Sequence, residues 1–93
     1  MTPEGRVKTA IKKILKERGI WFCMPATHGF GKSGVPDFLC CYEGRLVAIE
    51  AKAPGKMHNT TAMQKLQIDE IRAAGGIAVV VDNPAQLQEL FHA

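Results

Sequence analysis

Apolar residues recur at Val7, Ala10, Ile11, Ile14 and Leu15, three and four apart, which predicts one buried stripe on an amphipathic helix. Thr2-Pro3 supplies an N-cap followed by proline at the first helical position, and Gly19 supplies a stop. The pattern then changes. Residues 20–24 form a short aromatic and apolar run that reads as a strand. Residues 25–36 hold glycine at 29, 31 and 34 and proline at both ends, and read as a loop. Two apolar runs at 38–42 and 46–49 flank Glu43-Gly44, the signature of a hairpin. Residues 53–59 read as a loop, after which Thr60 or Thr61 caps a helix through Ala74. Its inner face carries Ile68 and Ile71, with Leu66 or Met63 beside them, and Gly75-Gly76 ends it. Residues 77–81 read as a continuous buried strand, and Asn83-Pro84 opens a last short helix. The order α-β-β-β-α-β-α predicts one α/β domain over residues 1–93, with a mixed sheet covered by helices on both faces. The final strand is expected to arrive by a right-handed crossover and to run parallel to a sheet neighbour.

Composition excludes a disordered or fibrous chain, and 93 residues suffice for a single core. The net charge of +3 is modest, but its distribution is not even. Arg6, Lys8, Lys12, Lys13, Lys16 and Arg18 crowd the first helix against Glu4 and Glu17. Such a stripe tracks phosphates or forms a solvated helix face, and both readings stand. Cys23, Cys40 and Cys41 lie in apolar segments without metal-ligand spacing and read as reduced core residues of a cytoplasmic protein. Trp21 also reads as core, while His58 and His92 read as surface. No signal peptide, membrane-spanning run or lipidation signature is found, so no membrane partner is expected.

The hairpin raises a question of charge. Asp37 opens its first run, and Glu50 and Lys52 close its second. If Glu43 and Gly44 are the two central turn residues, Tyr42 faces Arg45, Cys40 faces Val47 and Asp37 faces Glu50. Directly opposed Cβ atoms lie about 4.5–5.5 Å apart, and Lys52 shares the face of Glu50 because side chains alternate. A three-residue loop would shift this register by one, whereas a four-residue loop on the same pair would keep it. Two opposed carboxylates repel. One acid protonated, Lys52 bridging both, or a bound cation would relieve them. A hard ion such as Mg2+ takes one or two carboxylates and keeps positions for water and phosphate oxygens. A neighbouring lysine then stabilises charge or handles a proton. The alternative is a structural ion-pair cluster at a strand end. A glycine-rich loop before Asp37 and a basic first helix favour phosphodiester chemistry.

Four elements in order carry a resemblance: Gly34-Val35-Pro36-Asp37, then Glu50-Ala51-Lys52-Ala53-Pro54-Gly55, then Thr61-Ala62-Met63-Gln64, then Ala74-Gly75-Gly76. Together they resemble the virus-type replication-repair nuclease (VRR-NUC) family of the PD-(D/E)xK nuclease superfamily, over nearly the whole chain. The resemblance implies a restriction-endonuclease-like mixed sheet and a metal-dependent endodeoxyribonuclease. It implies Asp37, Glu50 and the carbonyl of Ala51 as ligands of Mg2+ or Mn2+. Lys52 would orient or activate the attacking water, Gln64 would lie near the site, and Glu4 would be the first-helix acid that completes it. Products would carry a 5′-phosphate and a 3′-hydroxyl. Stand-alone members resemble Holliday-junction resolvases, which implies a homodimer acting on branched DNA and, for a phage-encoded protein, a host cytoplasm. Contacts to DNA are expected from His28, Lys32, Ser33, Arg6, Lys13 and Gln67.

Plainer readings accompany these. Thr61-x-x-Gln64 is also a capping box, in which case Gln67, one turn on, would face the metal. Glu4 suits a helix N-terminus whatever its function. The alternative function is a non-catalytic DNA-binding module that keeps the nuclease fold, and a metal-stabilised protein-binding scaffold is a third.

Overall fold

A computed structural model describes residues 1–26 and 31–91. Thr2 caps helix α1 (Pro3–Glu17) by accepting a 3.0 Å hydrogen bond from the Gly5 N–H, and the buried residues of the helix are Val7, Ile11 and Leu15. The apolar stripe of the sequence thus becomes the face that meets the sheet. Gly19, at φ +66°, turns the chain into strand β1 (Trp21–Cys23). After the loop come β2 (Phe38–Tyr42) and β3 (Arg45–Ala51). Glu43 (φ 52°) and Gly44 (φ 77°) both occupy the left-handed region, as a two-residue hairpin turn requires if its twist is to match the strands. The register follows from that turn: Tyr42 pairs with Arg45, Cys40 with Val47 and Phe38 with Ile49.

A 3-10 turn (Met57–Asn59) leads to α2 (Ala62–Ala73), and β4 (Ile77–Val81) then pairs parallel with β3. A second 3-10 turn (Pro84–Gln86) and the single-turn α3 (Leu87–Leu90) end the described chain. The sheet order is β1-β2-β3-β4, with antiparallel pairs except the last. The protein is therefore a small α/β domain on a four-stranded mixed sheet.

Alternation along the strands divides the core in two. On one face Phe38, Cys40, Val47, Ile49, Ala51 and Val81 pack with Val7, Ile11 and Leu15 of α1 and with Leu87 and Phe91 at the C-terminal end. On the other, Ala48 and Ala78 pack with Ile68 of α2, flanked by Leu39, Ile71 and Val80. Strand β3 is central and covered on both sides, so its last five residues are all buried.

Several expectations need correction. Trp21 is 64% exposed: β1 is an edge strand, and its period of two turns Phe22 toward the core and Trp21 away from it. Cys23 and Cys41 are exposed and only Cys40 is buried, all three being free thiols. Met63 and Leu66 are exposed on α2, and Gln67 joins Ile68 as the buried pair instead. Strand β4 is also an edge, so Ile77, Val79 and Val80 are only half-buried. His58 is exposed, as expected. His28 and His92 lie outside the described residues. Among the described residues, no helix is long and apolar enough to cross a membrane.

Candidate active site

Asp37 immediately precedes β2 and Glu50 follows Ile49 in β3, and since Phe38 pairs with Ile49 both acids lie at the end of the hairpin away from its turn. Glu50 is 3% exposed and Lys52 7%, both far below the usual exposure of charged side chains. Burial on this scale requires partners, and they are present. The Lys52 ammonium lies 3.7 Å from Glu50 Oε2 and donates to Gln64 Oε1 at 2.8 Å. The Gln64 amide nitrogen in turn donates to Glu50 Oε2 at 3.1 Å. Asp37 is held differently: its Oδ2 accepts the Ala51 N–H at 2.9 Å, and its Oδ1 lies 3.4 Å from the ammonium of Lys8. Lys52 thus pairs with Glu50, and a second lysine meets Asp37.

Backbone geometry adds a further oxygen. The Lys52 N–H donates to the Val81 carbonyl at 2.9 Å, toward β4. The N–H and C=O of a trans peptide point opposite ways, so the Ala51 carbonyl points away from β4, to the side on which its own N–H meets Asp37. Two carboxylates and a carbonyl, all oxygen donors, converge at the strand end. Such a set suits a hard divalent cation such as Mg2+ or Mn2+, which needs one or two carboxylates and fills its other positions with water or phosphate oxygen. Among the described residues, no cluster of three or more His, Cys, Asp or Glu side chains forms a candidate metal site, so the fit rests on this mixed set.

Gln64 satisfies both readings of its motif. Its side-chain oxygen accepts the Thr61 N–H at 2.9 Å while its own N–H donates to the Thr61 hydroxyl at 3.1 Å, a complete capping box. The same oxygen receives Lys52. The cap fixes the glutamine's rotamer, and the rotamer delivers its amide to the acid pair. Gly34 makes this docking close: it sits at φ +77°, and a Cβ there would lie 2.5 Å from the carbonyl carbon and oxygen of Met63. The loop that ends in Asp37 therefore packs directly on the first turn of α2.

No family model and no curated protein matches the chain.

The site residues expected from sequence divide in two. Asp37, Glu50, Ala51, Lys52 and Gln64 come together. Glu4 joins them through Lys8, which lies 3.5 Å from Glu4 Oε2. Of the other six, the five described ones do not enter the cluster by any described contact. Gln67 lines a groove of about 590 Å³ between α2 and the hairpin, with Lys32, Leu39 and Leu46 among its walls. Lys32 lies 3.8 Å from Glu70, and Lys13 lies 4.0 Å from Glu17 one helical turn away. Arg6 and Ser33 are exposed, and His28 is outside the described residues. Lys8 is the residue that sequence reasoning left without a role. The Glu4-x3-Lys8 spacing signals its pairing with Glu4 on one helix face but not its contact with Asp37.

Burial, then the negative charge of Asp37 and a hydrogen bond with it, raise the Glu50 carboxyl from 4.5 to about 7; Lys52 pulls the other way, and Glu4 adds slightly to the rise. The folded protein therefore holds this proton more tightly than the unfolded chain. That preference is fully present below pH 4.5 and is lost as the pH rises to about 7. At about 1.4 kcal/mol per pH unit, the loss amounts to about 3–4 kcal/mol. Without divalent ions, denaturant unfolding of the wild type is expected to show that decline across this window, and Glu50→Gln is expected to lack it. Equal slopes in the two proteins would assign the proton elsewhere.

Proposed function

We propose that the chain is a divalent-metal-dependent, structure-specific DNA endonuclease of the PD-(D/E)xK kind, patterned like the VRR-NUC nucleases and built on a restriction-endonuclease-like core. One observation carries the reading: a buried lysine and a buried glutamate, locked together by Gln64, lie beside a second carboxylate at a sheet end. A stable fold does not need that arrangement, because apolar residues of similar volume often replace a buried ion pair without loss of stability. The element order α-β-β-β-α-β-α supports the same reading.

Asp37, Glu50 and the Ala51 carbonyl would hold Mg2+ or Mn2+. When bound, the ion would supply an activated water and neutralise charge on the scissile phosphate. The remaining work falls to the chain. Lys52, immobilised by Gln64 Oε1, directs its other protons at the attacking water or at the charge that develops on phosphorus, in a site dry enough to strengthen that interaction. Gln64 keeps Glu50 and Lys52 in fixed relation from one amide. Hydrolysis would leave a 5′-phosphate and a 3′-hydroxyl. The basic residues of α1 would track the backbone of the same DNA.

The motif resemblance supports four-way junctions as the substrate and a homodimer as the working form, since a two-fold pair of sites suits symmetric incisions. The test is to present labelled four-way junction, linear duplex and single strand with Mg2+, Mn2+ or EDTA, and to determine the mass of the protein in solution. Paired, metal-dependent nicks confined to the junction by a dimer are the expected result. Cutting of all three substrates would remove the junction preference, and binding without cutting would leave a DNA-binding module.

A further inference from the structure

We propose that Lys8 is an exchangeable internal counter-ion, which holds Asp37 in the cation-free protein and passes to Glu4 when a divalent cation takes Asp37. The inference rests on the metal-dependent reading above and concerns how that site is loaded. Lys8 stands between two acids on different elements, 3.4 Å from Asp37 Oδ1 and 3.5 Å from Glu4 Oε2. Both distances exceed the roughly 2.7–2.9 Å of a charge-assisted hydrogen bond. The ammonium is therefore shared rather than fixed.

The contrast with Lys52 is physical. Lys52 is buried and hydrogen-bonded to Gln64, so moving it would break a packed arrangement. Lys8 has a side chain 33% exposed beside a Glu4 that is 43% exposed, and room to turn. Burial works against its charge, but Asp37 and then Glu4 more than offset that, and its pKa is raised. The proton therefore stays on Lys8, and only its partner changes.

Asp37 has one oxygen committed to the Ala51 N–H; Lys8 lies at the other, and the Glu50 carboxyl also shares a hydrogen bond with Asp37. A divalent cation that requires Asp37 meets a positive charge already there, and the two compete. Glu4 lowers the cost of the exchange. One helical turn from Lys8, it pairs with the lysine without any change in α1. Glu4 thus acts through Lys8 as a positioning residue.

The test is calorimetric titration of Mn2+ onto the intact protein without DNA, for the wild type, Lys8→Met, Lys8→Gln, Glu4→Gln and the Glu4→Gln/Lys8→Met double variant. Removing the competing ammonium is expected to tighten Mn2+ binding by about two- to fivefold, the range of one partly exposed ion pair. Glu4→Gln is expected to weaken binding a few-fold in the wild-type background and to have no effect beside Lys8→Met. Unchanged or weaker binding by both Lys8 variants would overturn the proposal. So would an equal loss from Glu4→Gln in both backgrounds, which would make Glu4 a ligand in its own right. A wild type that binds no Mn2+ would instead overturn the metal-dependent reading on which the proposal depends.

Discussion

Lys52→Ala is expected to bind junction DNA about as well as the wild type and to cleave it about 10²–10⁴-fold more slowly, the range for loss of one positioned proton donor or charge stabiliser. The residue contributes little to the DNA-binding surface, because it is buried and hydrogen-bonded to Gln64. Stability should suffer less than burial alone suggests. Stranding a buried charge costs about 3–5 kcal/mol when that charge cannot be shed. Here Glu50 already holds its proton up to about pH 7, and Lys52 is the neighbour that lowers that value. Without Lys52 the carboxyl takes up a proton and the buried charge disappears. Single-turnover cleavage and fluorescence anisotropy on the same junction separate the two effects. A parallel loss of binding and cleavage would make Lys52 a structural residue.

Gly34→Ala is expected to be the most destabilising glycine substitution in the described chain. A left-handed φ costs an L-residue about 1–2 kcal/mol, and Gly34 sits at φ +77°. The added methyl would also lie 2.5 Å from the Met63 carbonyl and 2.8 Å from the Gln64 nitrogen, all backbone atoms. Backbone displacement of this kind adds about 1–3 kcal/mol. The sum, about 2–5 kcal/mol, is a large fraction of a small domain's stability. The same movement separates the Asp37 loop from the helix turn that carries Gln64, so the surviving folded protein should also cleave slowly. Gly44→Ala is the control. Its φ is also +77°, but nothing lies within 4 Å of the added carbon, so only the conformational cost applies. Equal losses in urea unfolding would show that the Gly34 contact is not a tight one.

Much of this architecture was legible because local rules and packing agree. The i, i+3, i+4 stripe of α1, the Thr2 cap and the apolar run of β4 each predicted the element that forms. The hairpin register was readable from one dipeptide, Glu43-Gly44, because the left-handed pair at its centre allows only one pairing of Phe38 with Ile49. That pairing brings Asp37 to Glu50. What escaped the sequence depends on which strands become edges. Periodicity marks Trp21 and Cys41 as strand residues but does not say that α2 covers only the β3–β4 side of the second face, which leaves Leu39 half-buried and Trp21, Cys23 and Cys41 exposed. Met63, Leu66 and Gln67 failed for a related reason. The start of α2 is anchored by its cap and by Gly34, and that rotation turns Gln67 inward in place of the apolar pair. Lys8 escaped because a lysine among lysines gives no sign of which one turns toward an acid on another element.

A hydrolytic centre at Asp37, Glu50 and Lys52 needs each acid for strand scission, whereas an ion-pair cluster at the strand end does not. Single-turnover scission of an end-labelled junction strand in Mg2+, by the wild type beside Asp37→Asn and Glu50→Gln, tests it most directly. The wild type is expected to leave a 5′-phosphate and a 3′-hydroxyl at each nick, and neither variant is expected to nick the junction while both still bind it. Strand scission that survives both substitutions, or a wild type that binds DNA and never cuts it with any divalent ion, would contradict it.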